Sequence, residues 1–555
     1  MTYSPQELEL YLLDFREGVE FKNYASYNLP HARVIAIESE REFGNSVLDG
    51  LLTEMRRRGD VFRDAQVNDL ESYHDRTGQS MSRIVLLVDE YHNFFIESDS
   101  LSSPAYKLLE LLTRQGRGFG IHVILASQTL TGAAQLPEAI KSSIGVRIAL
   151  QCSEADSRMI LSEDNPAARL LTRPGEAIYN AENGRVEGNN SFQVAWISNN
   201  AREEYLRQIQ KLAIERQFHR EPIVFEGNQP ALLAKNTALQ AALAKTAVPS
   251  NSRRMIAWLG EPIAMRESVS VVFSRQSGRN LLIVGSDEPA AIGLLTATII
   301  SLTAQLAPSG NGVLPTFSIL DYSTDTDEEN DHFAQLADIL PISIKVGRSR
   351  RQLATILNDL VTTIQHRIDT DQTRAAPHFL IIHGIHRSSD LRADTLWENP
   401  LRTSSSIGAS LAALDASSDE FGFTNAFATY EGANARNSNT PSLNPAAQLA
   451  RILRDGPEFG VHSMIWCETM THLTRTIERS GLRECMYRVA FQMSEMDSEG
   501  FVDTAAASTI GMYRALLYNE EKVTREKFRP YAIPAEDWLG FVIQTLAQRQ
   551  TPPEL

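Results

Sequence analysis

"RIVLLVDEYHNFF", residues 83–95, drives the apolar run Ile84 to Val88 straight into two adjacent carboxylates, Asp89 and Glu90. A short unbroken run of Val, Ile and Leu reads as a strand buried on both faces, the kind found in parallel sheets covered by helices. Such sheets collect their ligands at the carboxyl ends of their strands. Asp89 and Glu90 therefore mark a candidate reactive edge, where one acid can hold a cation-bound water and its neighbour can orient an attacking one.

The surroundings of this strand occur twice in the chain. "RQGRGFGIHVILASQT" (residues 114–129) aligns without gaps on "RDGPEFGVHSMIWCET" (454–469), matching Gly116 with Gly456, Phe119 with Phe459, Gly120 with Gly460 and His122 with His462. The same order continues in "RIALQCSEADS" (147–157) and "RVAFQMSEMDS" (488–498), which pair Arg147 with Arg488, Asp156 with Asp497 and Ser157 with Ser498. Upstream, "YLLDF" (11–15) resembles "SILDY" (318–322), and "VLLVDEYH" (85–92) resembles "FLIIHGIH" (379–386). A fixed order of similar segments at long period is the signature of a duplicated unit.

Each copy alternates short apolar runs with longer helical patterns, such as "SPAYKLLELLTRQ" and "RRQLATILNDLVTTIQHRI", which implies βαβ units around a parallel sheet. The first copy is expected over 1–200 and the second over 255–540, with an amphipathic helix and linker at 201–254 and a tail at 541–555. The linker contains Pro222, Pro230 and Pro249. A loop insertion is expected near 387–447, where "TSSSIGAS" and "NARNSNTPSLNP" read as surface loop.

Composition sets outer limits. The 555 residues are 43% apolar and 22% charged, as in globular protein. No run suffices to span a bilayer, and "MTYSPQELEL" lacks the features of a secretion signal, so a cytoplasmic protein is expected. The three cysteines, Cys152, Cys467 and Cys485, show no pairing of the kind that binds zinc and read as inert thiols. A net charge of −16 argues against wrapping nucleic acid over the whole surface, though not against a basic channel within a ring.

An apolar strand ending in Asp-Glu is the Walker B pattern. Taken with "RQGRGFGIHVILASQT" and "RIALQCSEADSRMIL", it resembles the FtsK/SpoIIIE branch of the FtsK–HerA motor ATPases over about residues 8–180. The resemblance implies an α/β fold of two tandem RecA-like P-loop NTPase-type domains with mainly parallel sheets, the first truncated at its N-terminus. It implies further a hexameric ring that hydrolyses ATP with Mg²⁺ between subunits and draws double-stranded DNA through its centre. Carried onto this chain, Asp89 is the Mg²⁺-associated acid, Glu90 the catalytic base and Gln128 the sensor at the next strand end. Arg147 and Arg158 become candidates for phosphate contact across a subunit boundary.

A motor of this kind needs GxxxxGK[ST] to cradle phosphate, and the chain contains no such motif. In the second copy "NLLIVGSDEPAAIGLLTATIISL" stands in its place; it retains Gly285 and Gly293 as a degenerate phosphate loop but lacks the Lys-Ser/Thr pair. His383 and Gly384 replace Asp89 and Glu90 there, so the second copy is expected to be an inactive ATPase domain, and His383 with His386 is not expected to bind metal. In the first copy only 13 residues precede Asp14, too few for the strand, loop and helix that carry the motif. ATP binding by this chain alone is doubtful on that ground, and an upstream half carrying the phosphate loop is one expected partner.

Tandem modules with degenerate later copies are also similar to the EccC/EssC ATPases of type VII secretion, which move proteins. That is the alternative to a DNA translocase, and a non-catalytic ring scaffold is a third. DNA binding would call on basic loops facing a pore, for which the candidates are Arg56, Arg57 and Arg58 in the first copy and Arg348, Arg350 and Arg351 in the second. The acidic "DTDEEND" (325–331) reads as a solvated loop.

Overall fold

The computed structural model describes residues 3–15, 20–37, 40–95, 102–128, 130, 136–245, 254–305, 316–323, 332–372, 375–392 and 444–550. Most of the expected insertion and the acidic run at 325–331 lie outside them. The chain forms two compact units, one of residues 1–231 with 261–268, the other of residues 232–260 with 269–555.

In the first unit, β1 (Leu8–Asp14), β2 (Ala32–Ile37), β3 (Arg83–Asp89) and β4 (Ile121–Leu125) pair in parallel in the order β4-β3-β1-β2. β5 (Arg147–Leu150), β6 (Glu176–Asn180) and β7 (Asn189–Gln193) form a separate antiparallel sheet. β8 (Ile223–Glu226) then adds in parallel to β2 and completes the first sheet. The helix Arg41–Asp64 covers one face because its apolar residues recur at helical spacing: Phe43, Val47, Leu48, Leu51, Leu52 and Met55 pack on Leu86, Val88 and Ala36. Leu12, Ile35 and Ile37 bury the opposite face under Phe21, Leu29 and Leu206.

Leu206 lies on the helix Asn199–Glu215. Residues 201–254 are therefore not a linker standing apart. This helix and β8 belong to the first unit, while the helix Thr237–Ala244 belongs to the second. Pro222 precedes β8 and leaves its ladder intact, as a proline at a strand's beginning does.

The second unit is built on a single ten-stranded sheet. Its strands are β9 (Arg254–Pro262), β10 (Val269–Ser274), β11 (Leu281–Val284), β12 (Thr316–Asp321), β13 (Ser343–Gly347), β14 (His378–His383), β15 (Val461–Cys467), β16 (Tyr487–Ala490), β17 (Ala515–Asn519) and β18 (Thr524–Pro530). The order is β10-β9-β18-β17-β16-β11-β15-β14-β12-β13. From β16 to β13 the pairing is parallel, and from β16 to β18 it is antiparallel. The helix Glu288–Ala304 after β11 is almost wholly buried, which explains why its sequence is apolar all round. The helix Glu536–Gln550 runs through much of the segment expected as a tail and buries Val542 and Leu546.

The repeat puts the two units in register. β2-β1-β3-β4 corresponds to β13-β12-β14-β15, and β5-β6-β7 to β16-β17-β18. β11, which lies between β15 and β16, has no counterpart among the described residues of the first unit.

Candidate active site

The carboxyl edge of β3 carries the expected acids. Asp89 lies in register beside Asp14 at the end of β1, and the backbone N–H of Phe15 donates to the Asp89 carbonyl oxygen at 3.4 Å. Burial raises the pKa of Asp89; the bond from the Glu90 N–H opposes this, and the charges of Asp14, Glu90 and Glu20 add to it. A crowded acid of this kind gains from a cation, so Asp14 and Asp89 fit the carboxylate side of a Mg²⁺–water site.

Glu90 is buried, and its φ is +49°. That left-handed backbone is strained for a residue with a Cβ, and such strain collects at functional positions. The repeat places Gly384 opposite Glu90, with φ +75°. Both units thus make the same turn, and only the first puts a carboxylate on it.

His92 and the Gln128 backbone reach that carboxylate, and Ser127 holds His92. His92 Nδ1 is 3.2 Å from Glu90 Oε2 and 2.8 Å from the Ser127 hydroxyl. The backbone N–H of Gln128 reaches the same Oε2 at 3.4 Å, while the Gln128 side chain is exposed at the strand end. Asp89, Glu90 and Gln128 therefore converge. His92 and Ser127 complete the cluster, and neither stands out in the sequence because His92 lies in the short 3-10 helix Tyr91–Phe95 and Ser127 in a loop; their adjacency to the strand ends was the available signal.

Arg147 and Arg158 are engaged differently from expectation. Arg147 donates to the carbonyl oxygens of Lys141, Ile144, Ile160 and Leu161. Arg488 in the second unit makes the corresponding bonds to Leu482, Cys485 and Phe501. A guanidinium holding backbone in both copies, including the one without catalytic acids, is a structural clasp and has few donors left for phosphate. Arg158 pairs with Glu154 and with the carbonyl oxygen of Glu163.

The basic triplets also separate. Arg58 is buried, bonded to Glu54 and to the Phe119 carbonyl at 2.8 Å, and cannot face DNA. Its counterpart Arg367 holds the Phe459 carbonyl at 2.7 Å. Arg57 pairs with Glu54, Arg350 with Asp390, and Arg348 turns inward to Asp321. Arg56 and Arg351 are exposed.

In the second unit the corresponding edge is closed by its own side chains. Asp287 caps the helix Glu288–Ala304 by accepting from the Ala290 N–H at 3.1 Å. Glu288 beside it is held by Arg387 through two bonds of 2.8 Å, a bidentate pairing. Asp321 accepts from His383 Nδ1 at 2.8 Å and from Arg348 at 2.9 Å. Burial alone would raise its pKa, but these bonds outweigh that and hold it at about 2. The His383 ring stacks on Trp466 with centroids 4.8 Å apart.

Gly285 and Gly293 serve close packing in this arrangement. A Cβ on Gly285 would lie 2.5 Å from that of Phe491, and one on Gly293 would lie 2.3 Å from the Tyr531 carbonyl oxygen. With Gly285 as the first residue of a GxxxxGK[ST] pattern, Ala290, Ala291 and Ile292 occupy the Gly, Lys and Ser/Thr positions. Among the described residues no group of three or more His, Cys, Asp or Glu side chains could hold a metal ion, His383 and His386 included.

Comparison with known proteins follows the division into units. Residues 1–185 match the FtsK/SpoIIIE family. The ESX-5 secretion system protein EccC5 of Mycobacterium marinum is 29% identical over 186 residues, covering 32% of this chain and 13% of that protein. The DNA translocase FtsK of Caldanaerobacter subterraneus is 26% identical over 225 residues, covering 38% and 30% respectively. The chain therefore matches only a minor part of either relative's length. The cytoplasmic domain of the type VII secretion ATPase EccC of Thermomonospora curvata has the same fold: the TM-score is 0.60 at 17% identity, over 100% of this chain and 61% of that one. Both units thus share the fold of that cytoplasmic domain. No helix among the described residues is long and apolar enough to cross a membrane.

Proposed function

We propose that the first unit, whose residues 1–185 match the FtsK/SpoIIIE family, is the hydrolytic part of a translocating motor and that the second is a non-hydrolysing structural partner of the EccC/EssC kind. The observation that carries this reading is Glu90, a buried carboxylate on a strained turn, beside Asp89 and aligned by His92 and the Gln128 N–H. Glu90 orients the attacking water and accepts its proton, and Asp89 with Asp14 holds the water shell of the cation. Mg²⁺, when bound with ATP, supplies charge neutralisation at the phosphates. Motors of this family work as rings, and a homo-oligomeric ring is part of the proposal.

For the substrate we favour protein over double-stranded DNA. EccC5 is a secretion protein by name, and it matches at a higher identity than the DNA translocase does. Two of the arginines best placed in sequence for a DNA channel, Arg58 and Arg348, are committed inside their own units. The FtsK match keeps DNA as the second reading.

The test is ATP turnover by the chain joined to a segment that supplies a phosphate loop, with and without double-stranded DNA. Turnover that is lost in Glu90→Gln and indifferent to DNA supports the secretion reading; stimulation by DNA transfers the proposal to a DNA motor. Absence of turnover in the joined form leaves a ring scaffold and removes the ATPase reading.

A further inference from the structure

The duplication puts a histidine at the same point in both units, His92 just after β3 and His386 just after β14, although only the first unit carries an acid on the turn between. The two imidazoles are used in opposite senses. In the second unit His386 Nδ1 accepts from the backbone N–H of Glu468 at 3.3 Å, and its Nε2 lies 3.3 Å from Glu468 Oε2. A ring nitrogen that accepts carries no proton, so the proton of His386 is on Nε2. Burial first and Arg387 next hold its pKa at about 4, and the ring is neutral near pH 7.

Glu468 aligns with Gln128 in the repeat. In the first unit the Gln128 N–H is spent on Glu90 Oε2, at 3.4 Å. One backbone donor thus has two alternative acceptors, a carboxylate where the turn carries Glu90 and an imidazole where it carries Gly384. With that donor taken, His92 Nδ1 faces Glu90 Oε2 at 3.2 Å and the Ser127 hydroxyl at 2.8 Å. A bare nitrogen lone pair so close to a carboxylate oxygen is repelled, whereas an N–H is attracted, so the proton belongs on Nδ1. Both contacts fall on one nitrogen, and the Ser-His-Glu set is therefore no nucleophilic triad, which uses both ring nitrogens. In the second unit Ser127 gives way to Cys467, whose thiol donates to the Thr469 carbonyl oxygen at 3.4 Å. The acid and the serine are absent together there, and the histidine that remains has reversed its tautomer.

Resting on the ATPase reading above, we propose that His92 is a positioning residue for Glu90: its Nδ1–H, set between Ser127 and Glu90, holds Oε2 and, with the Gln128 N–H, fixes the carboxylate in the orientation that receives the attacking water's proton. The base is thereby tied to the end of β4, the strand end that also carries the Gln128 side chain.

Nitrogen-15 NMR of the whole chain labelled at histidine, recorded at pH 8 above the ordinary titration range of imidazole, locates the proton directly. His92→Gln and His386→Gln assign the two rings. A protonated Nδ1 at His92 and an unprotonated Nδ1 at His386 in the same molecule are the expected result, and an unprotonated Nδ1 at His92 overturns the proposal. Turnover is then read in the chain joined to a phosphate-loop segment. An asparagine amide places its N–H near the position of Nδ1, and a glutamine amide near that of Nε2. His92→Gln should lower kcat by roughly 10- to 100-fold with KM for ATP unchanged, while His92→Asn should retain most of it. Equal rates in the two variants, high or low, overturn the positioning role and leave the ATPase reading in place as long as Glu90→Gln is inactive. Absence of turnover in the unsubstituted joined form removes the ATPase reading, and the positioning role falls with it whichever nitrogen carries the proton.

Discussion

Arg147 and Arg488 make the same three backbone bonds: each donates to carbonyl oxygens three and six residues before it and thirteen after it. The two units thus share a clasp that ties the beginning of a strand to the segments on either side. A residue with this job is required wherever the fold is required, whether or not nucleotide is hydrolysed.

Arg147→Ala should therefore lower the stability of the first unit by about 2 kcal/mol, because the bonds lost come from a charged donor. Arg147→Lys should recover little of it, since one ammonium cannot span the same carbonyls. Urea unfolding measures both. Unchanged stability combined with lost turnover in the completed motor would restore the trans phosphate role.

Glu90 offers a separation of stability from activity. Glu90→Gly and Glu90→Ala both remove the carboxylate, but only glycine accepts φ +49° without strain. The glycine variant should be more stable than the alanine variant by on the order of 1 kcal/mol. Both should be inactive in the completed motor. Equal unfolding midpoints would show that the turn relaxes around Glu90 and stores nothing.

The second unit should stay silent toward nucleotide. Its helix N-terminus is occupied by the Asp287 cap and by Glu288, itself held by Arg387. Added ATP and Mg²⁺ should leave its unfolding temperature unchanged. Glu288→Ala should cost about 2 kcal/mol through the stranded Arg387 without creating a nucleotide response. A rise in unfolding temperature with ATP in the Glu90→Gln background would contradict this assignment.

Acid should weaken the second unit ahead of the usual carboxylate range. Burial is the first cause holding His378, His386 and His462 down to about 4, with nearby arginines assisting. Between about pH 6.5 and about 4 the unfolded chain binds protons that the folded unit refuses. Their contribution is thus full above about 6.5 and drains as pH falls to about 4. His462 packs among Phe273 and Phe379, so His462→Phe should flatten the stability–pH slope in that window. An unaltered slope would mean that its protonation is not linked to unfolding.

Much of this was readable in the residues, for reasons that also explain the errors. Buried parallel strands announce themselves as unbroken apolar runs, so β1, β3, β12 and β14 were visible from the sequence, as were the acids that end the first three. Internal repetition located the second unit and exposed its missing acids. Arginines are hard to assign from sequence because a guanidinium that binds carbonyls and one that binds phosphate occupy the same place beside a strand; the bonds made by Arg58 and Arg147 are visible only in the structure. β8 was missed because Ile223–Glu226 is short and lies among prolines. The strained turn at Glu90 had one trace in the sequence, the glycine opposite it at 384.

The exposed side chains of Ile124 on β4 and of Ile148 and Leu150 on β5 also predict how the chain behaves in a test tube. Exposed apolar side chains of this kind invite self-association, and a net charge of −16 opposes it by keeping copies apart. Salt screens that repulsion within about 8 Å at physiological strength while leaving the apolar attraction intact. Added salt should therefore drive the free chain toward precipitation, where a protein held in aggregates by ion pairs would dissolve.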